Sequence, residues 1–216
     1  MLGAALPVTS GLWCPKNASL SASYSLTAPS TAYVAQPVEE ATHTRLCKVS
    51  TNPCPAGSTY PFGTTIEAKA SDFKIVTSIS TLTCKEVAMV ATTNAVGAEP
   101  LPFTQNFTFS NCNYPGIGAC AVSSAPATGS VKWTGKIDGT FTLKNVSWQF
   151  SCTAFYTCTY GGTLSGSFYG TNVATGEPAK MVFTNLVLEN LGGSCQPVNK
   201  MSATFAVSAP SPVFVS

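Results

Sequence analysis

Ionisable side chains are scarce in this chain: only 9% of its 216 residues are charged, and His43 is the single histidine. General acid–base chemistry and metal ligation both depend on positioned ionisable groups, so this scarcity weighs against most enzyme classes. No Cys-x-x-Cys pair occurs, which leaves a zinc site almost nothing to build on. Calcium needs clustered Asp or Asn at loop spacing, and no segment supplies it. Nor does a Gly-x-Ser-x-Gly nucleophile elbow occur that would enlist His43 with Glu39 or Glu40. No run approaches the roughly 18 apolar residues of a membrane helix. A net charge of +2 without a basic cluster gives nucleic acid or anionic lipid little to hold. Helical periodicity is nearly missing too; its one candidate, Val38 to Leu46, is limited to a turn by Pro37 and the surrounding Thr. No cofactor and no catalytic residue are therefore expected.

What the chain has instead is cysteine, nine of them. Thiols at this density persist as disulfides, and disulfides persist outside the reducing cytosol, so a secreted or cell-surface protein is expected. The start of the chain lacks a signal peptide's basic region and long apolar core, so the export signal is expected to have been removed or omitted. Three pairs lie close together: Cys47 with Cys54, Cys112 with Cys120, and Cys152 with Cys158. Cys84 and Cys195 then remain to join distant strands, and Cys14 is left unpaired or intermolecular. Spacing alone leaves the connectivity open.

Alternation of apolar and polar residues dominates the rest. It runs through Phe73, Ile75 and Thr77, through Phe103, Gln105, Phe107 and Phe109, and through Met181 and Phe183. A further stretch carries Met201, Ala203, Phe205 and Val207. Turn residues separate these runs at Asn94 to Gly97, Pro115-Gly116, Gly161-Gly162, Gly176-Glu177-Pro178 and Gly192-Gly193. Short strands at such spacing predict an all-β fold, an antiparallel sandwich or barrel stapled by disulfides. One hairpin invites a register: a three-residue turn, Ile137-Asp138-Gly139 with Gly139 left-handed, would set Gly135 opposite Phe141 and Trp133 opposite Leu143. Beyond it the alternation changes phase to Val146, Trp148, Phe150 and Cys152, which predicts a bulge near Asn145.

Residues 1–45 differ from the remainder and form an N-terminal extension; 46–216 form the β domain. The extension's clearest element is the alternating strand at about 19–28, with Leu20, Ala22, Tyr24, Leu26 and Ala28 on one face. It is either the first strand of the protein's own sheet or a strand donated to a neighbouring subunit.

Leu46-Cys47-Lys48 with Cys54, Tyr60-Pro61 and Gly63-Thr64-Thr65-Ile66-Glu67 recur as landmarks in order. Leu82-Thr83-Cys84, Phe109-Ser110-Asn111-Cys112, Cys158-Thr159-Tyr160 and the closing Pro210-Ser211-Pro212-Val213-Phe214-Val215-Ser216 continue them. On these residues the segment 46–216 resembles a group of uncharacterised secreted β-rich proteins of actinobacterial type. The group has no assigned activity, so the resemblance implies a bacterial extracellular protein and carries over no catalytic residue.

Other constellations have plain alternatives. Glu67, Asp72, Glu86 and Asp138 would have to converge to make a glycosidase pair. Trp13, Trp133 and Trp148 would have to be exposed to stack on sugar, whereas Trp133 and Trp148 lie in phase with the apolar face. The expectation is a secreted structural or interaction protein, specifically a subunit of an extracellular filament or surface assembly joined by strand exchange. Its partner is then a second copy or another extracellular protein. The alternative is a monomeric carbohydrate-binding or adhesin-like module.

Overall fold

A computed structural model describes residues 43–216 apart from 56, 154 and 155. The alternating strand at 19–28, Cys14 and Trp13 lie outside the described residues. All regular structure described is β: β1 (Leu46–Cys47), β2 (Thr65–Ala70), β3 (Lys74–Thr77), β4 (Thr81–Thr93), β5 (Leu101–Tyr114), β6 (Gly118–Ser124) and β7 (Ala127–Trp133). They are followed by β8 (Gly139–Thr153), β9 (Tyr156–Tyr169), β10 (Lys180–Leu186), β11 (Glu189–Gly193), β12 (Val198–Ala209) and β13 (Phe214–Val215). The Val38–Leu46 helical turn finds no support over 43–46, where Leu46 already belongs to β1.

The strands close into an antiparallel up-and-down barrel of eight staves. Three staves are each broken into two strands: β2 and β3 both lie between β12 and β4, and β6 and β7 both lie between β5 and β8. β10 and β11 both pair with β9. The ladder of β8 on β9, from Gly139↔Phe168 to Thr153↔Tyr156, completes the ring. The choice left open by the strand spacing, sandwich or barrel, thus falls to the barrel. Closure leaves β11, which among the described residues pairs with β9 alone, as the one strand of the ring with an open edge, so most of a sparsely charged sheet is protected from edge-to-edge pairing.

Period-two alternation sends one row of each stave inward. On β5, Leu101, Phe103, Gln105 and Phe107 point in, while Thr104, Asn106 and Thr108 face solvent. A polar outer face is the reverse of the apolar-out pattern of a lipid-embedded barrel, and no described helix is long and apolar enough to cross a membrane. The interior is packed with aromatic rings in edge-on and tilted contact. They run from Phe141 and Phe183 (4.9 Å between centroids) through Phe205 and Phe107 to Trp148, then through Phe109 and Phe150 to Tyr160. Each large side chain so buried contributes about 1.5–3 kcal/mol.

Asparagines in the left-handed region mark the irregular rungs. Asn145 has φ 58°, and the β8–β9 register slips between Leu143 and Val146, the bulge that the change of phase predicts. Gly161 and Gly162 lie opposite that bulge inside β9 and do not form a turn. A side chain on Gly161 would fall on the Val146 carbonyl, so close backbone approach explains the glycine there.

The predicted hairpin register is four residues off. Val131 faces Phe141 and Trp133 faces Gly139, so the connection spans Thr134 to Asp138 and closes with Thr134 N–H donating to the Asp138 carbonyl (3.2 Å). Gly135, with φ 103°, takes the left-handed position assigned to Gly139. Gly139 is required for space: a Cβ there would sit 2.8 Å from the Lys132 carbonyl oxygen and 3.1 Å from Val131. The Trp133 indole N–H also folds onto the Lys136 carbonyl, which lengthens the loop. The inward faces are the same in both registers, so alternation alone does not separate them.

Four disulfides join Cys47 to Cys54, Cys84 to Cys112, Cys120 to Cys152 and Cys158 to Cys195. The pairs Cys112–Cys120, Cys152–Cys158 and Cys84–Cys195 are therefore not formed. Cys112 does lie opposite Cys120 in register, but it lies opposite Cys84 as well. Cys158 lies opposite Phe150, two residues from Cys152, with Gly193 on its other side, next to the segment that carries Cys195. Four disulfides fit maturation outside the reducing cytosol.

Candidate functional site

The barrel's interior is not a ligand chamber. Its apolar cavity, between Leu46, Ile66, Leu101, Phe103, Phe141 and Met181, holds about 20 Å³. Two polar groups are buried among the described residues without a hydrogen-bond partner: both amide atoms of Gln105 and the indole N–H of Trp148.

The two barrel ends differ. At the end where β4 finishes and β5, β8 and β10 begin, the loops leave an open cleft of about 430 Å³. Ser50, Ile137, Asp138, Tyr169, Asn172, Glu177 and Lys180 line it. Local chemistry fixes its β9–β10 wall. Asn172 Oδ1 accepts from the N–H groups of Ala174 (3.1 Å) and Thr175 (3.3 Å), an Asx turn that reverses the chain. Gly176, with φ 74°, donates to the Asn172 carbonyl at 2.8 Å. Thr171 ties this wall to the C-terminal segment, since its hydroxyl accepts from Val213 N–H (2.9 Å) and its own N–H donates to the Val213 carbonyl (2.9 Å). Asp138 Oδ1 accepts from Gly170 N–H at 3.3 Å. Tyr169 is exposed, and the Lys180 ammonium stands 5.7 Å from its ring centroid. The cleft thus presents one aromatic ring, two carboxylates, an ammonium and hydroxyl groups on a fixed frame. That arrangement can hydrogen-bond and stack on a polar ligand.

The opposite end is a clamp. Three of the four disulfides lie there, together with three tyrosines. The Tyr114 and Tyr156 rings stack at 5.6 Å, Tyr114 shares a 2.6 Å hydrogen bond with the Thr77 hydroxyl, and Tyr160 donates to the Gln196 carbonyl at 2.7 Å. Burial, reinforced by Tyr156 and Tyr114 beside it, pushes the Tyr160 phenol well above the usual tyrosine range. Burial raises Tyr156 as well. This cluster is invisible in sequence because Tyr114 comes from β5 and Tyr156 and Tyr160 from β9, and only pairing brings them together.

The carboxylates singled out in the sequence do not converge. Glu86 is paired with Lys69 across β2 and β4 (3.2 Å), and Asp72 caps Thr204 N–H (2.9 Å). Glu67 is exposed on β2, and only Asp138 reaches the cleft. His43 is exposed ahead of β1, and Glu39 and Glu40 lie outside the described residues. Trp148 is core, as its phase implies, while Trp133 is half-buried at the hairpin. Cys47, Cys54, Cys84, Cys112, Cys120, Cys152, Cys158 and Cys195 are all in disulfides. No group of three or more His, Cys, Asp or Glu among the described residues is placed to hold a metal ion. The signal missed in sequence was Asn172 with Gly176-Glu177-Pro178, legible as a turn but not as the wall of a cleft. Against family models, curated proteins and solved structures, the chain finds no match.

Proposed function

We propose that this is a secreted, non-catalytic interaction protein whose barrel is a rigid scaffold and whose cleft end meets an extracellular ligand, carbohydrate by preference. The observation that carries this reading is the pairing of a filled barrel with an open, hydrogen-bond-braced cleft. A packed interior leaves external recognition to the loops, and loops on a rigid scaffold are where binding residues concentrate. The exposed Tyr169 ring supplies an apolar face, and Asp138, Glu177 and Ser50 supply acceptors and a donor for hydroxyl groups. The resemblance to secreted actinobacterial-type proteins agrees with this setting. Titration calorimetry against soluble cell-wall and plant polysaccharides tests it. Binding to at least one is expected, weakened tenfold or more in Tyr169→Ala; affinity unchanged in that variant overturns the assignment of the cleft.

Assembly by strand exchange is the second reading, and β11 favours it. All five of its residues are exposed, and among the described residues it pairs with β9 alone. Because the ring of staves is closed, a strand at 19–28 would add to such an edge rather than fill a vacant groove. Under this reading Leu20, Ala22, Tyr24, Leu26 and Ala28 of one copy meet the next, and Cys14 reinforces the joint. Gel filtration of the full chain beside a deletion of residues 1–30 distinguishes the two readings. Polymer that disappears on deletion favours assembly, and a full chain that stays monomeric at high concentration removes it.

A further inference from the structure

Four of the cysteines form a single row across the barrel wall. Cys84 on β4 lies opposite Cys112 on β5, and Cys112 lies opposite Cys120 on β6. Ala121 lies opposite Ser151, which places Cys120 opposite Cys152 on β8 one rung further on. All four are buried on the inward face. In the native pairing the two outer rungs are closed, with Cα separations of 3.9 Å for Cys84–Cys112 and 3.7 Å for Cys120–Cys152.

The middle rung is open, and its two cysteines are direct partners in register. The Cys84 N–H donates to the Phe73 carbonyl, on the side away from β5. Cys84 and Cys112 are thus a non-hydrogen-bonded pair, the closer of the two antiparallel kinds, and Cys112 turns its own backbone groups towards β6. Cys112 and Cys120 then form a hydrogen-bonded pair, whose Cα atoms stand about 5.5 Å apart. That separation lies inside the roughly 4.4–6.8 Å range over which disulfides form.

The geometry points to a disulfide relay. The row holds two disulfides when oxidised. After accepting two electrons it holds one, which moves to the middle rung, Cys112–Cys120. The chemistry balances with a dithiol as reductant. Its thiolate attacks Cys152, the Cys120 thiolate leaves, and the second thiol of the reagent closes on the first, releasing Cys152 as a thiol and the reagent as its disulfide. The Cys120 thiolate then attacks Cys112, a bond forms between them, and Cys84 leaves as a thiolate that takes a proton. This second step consumes no oxidant or reductant. Its three sulfurs stand in the order 120, 112, 84 along the row, the order that displacement requires. Reduction at β6 and β8 is thereby felt at β4, while β5 and β6 become joined by the new disulfide.

The test uses the full chain carrying Cys14→Ser, so that the ninth thiol takes no part. Limiting dithiothreitol at pH 8, followed by acid quench, alkylation and peptide mapping, should yield a species with Cys112 linked to Cys120 and with Cys84 and Cys152 alkylated. One-disulfide species that carry only Cys84–Cys112 or only Cys120–Cys152 overturn the relay. A second arm uses Cys84→Ser with Cys152→Ser in the same background. Oxidised glutathione should close Cys112 onto Cys120 in a protein that keeps its strand circular dichroism. Two persistent thiols in that folded variant overturn it equally.

Discussion

Gln105 is the most instructive residue to change. It points inward from β5, opposite Ala91 on β4 and Ala127 on β7, with Phe103 and Phe107 on the same row of its own strand. It is 3% exposed, and neither its carbonyl oxygen nor its amide nitrogen has a partner. Leaving a buried polar group unsatisfied costs about 1–3 kcal/mol. Methionine keeps the unbranched shape of glutamine and removes both orphaned atoms. Gln105→Met should therefore stabilise the barrel by about 1–3 kcal/mol, little of it lost to repacking in so similar a volume. For a chain of this size each kcal/mol raises Tm by roughly 2–4 °C. Guanidinium denaturation followed by tryptophan fluorescence gives the free energy, and an unchanged m-value shows that the unfolded state is the same. Gln105→Ala, which also removes the orphaned amide but opens a cavity, should come out at or below wild type. A Gln105→Met protein that is less stable than wild type refutes the reasoning; it would mean that the amide is satisfied by buried water.

Gly161→Ala should destabilise by about 1–3 kcal/mol, because the new Cβ meets the Val146 carbonyl of the Asn145 bulge; a melting temperature equal to wild type counts against that packing. Gly135→Ala should cost about 1–3 kcal/mol through its φ of 103°, and Gly139→Ala a similar amount through crowding against Lys132, whereas the sequence-based register strains only Gly139. Removing the Cys84–Cys112 disulfide, which closes a span of 28 residues, should cost roughly 3–4 kcal/mol on the chain-entropy account, measured as a fall in denaturation midpoint. Tyr160 and Tyr156 hold their protons more tightly folded than unfolded, so the stability they contribute is complete below about pH 10 and falls as pH rises further; Tyr160→Phe should flatten that alkaline decline, read from Tm between pH 9 and 12.

How much of this was legible in sequence depends on the range of the interaction. Alternation is local, and it located the long strands and the inward rows: Phe103 and Phe107 on β5, Met181 and Phe183 on β10, Phe205 and Val207 on β12. The bulge at Asn145 was legible for the same reason, as a break in phase within one strand. Register is a relation between strands, and the hairpin shows the limit. Sliding Trp133 from Leu143 to Gly139 keeps every inward residue inward, so only the crowding at Gly139 and the fold of the indole onto Lys136 decide. The disulfides fail in the same way. Cys47 and Cys54 close a local loop, whereas Cys112 has neighbours on two strands, and choosing between them requires knowing which rung turns its backbone groups inward. The cleft was beyond reach, because Asp138, Asn172 and Glu177 meet only once the ring has closed.

The distribution of cross-links and loops divides the work between the two barrel ends. Three disulfides and the Tyr114–Tyr156–Tyr160 cluster tie adjacent staves together at one end, where the connections are short: Ser78–Ser80 between β3 and β4, and Pro115–Ile117 between β5 and β6. At the other end the connections lengthen to ten residues between β9 and β10, and the single disulfide there, Cys47–Cys54, closes a loop without joining two staves of the ring. A barrel with two ion pairs among its described residues and a sparsely charged polar exterior draws its rigidity from its packed aromatic interior and from the covalent end. The loop end is then held by hydrogen bonds such as Asp138 to Gly170 and Thr171 to Val213, which fix the cleft wall without filling the cleft. Local opening should follow this division. Amide exchange slowest around Cys112, Cys120 and Tyr160 and fastest at 172–177 is the expected order, and the reverse order would place the stable half of the barrel at the cleft.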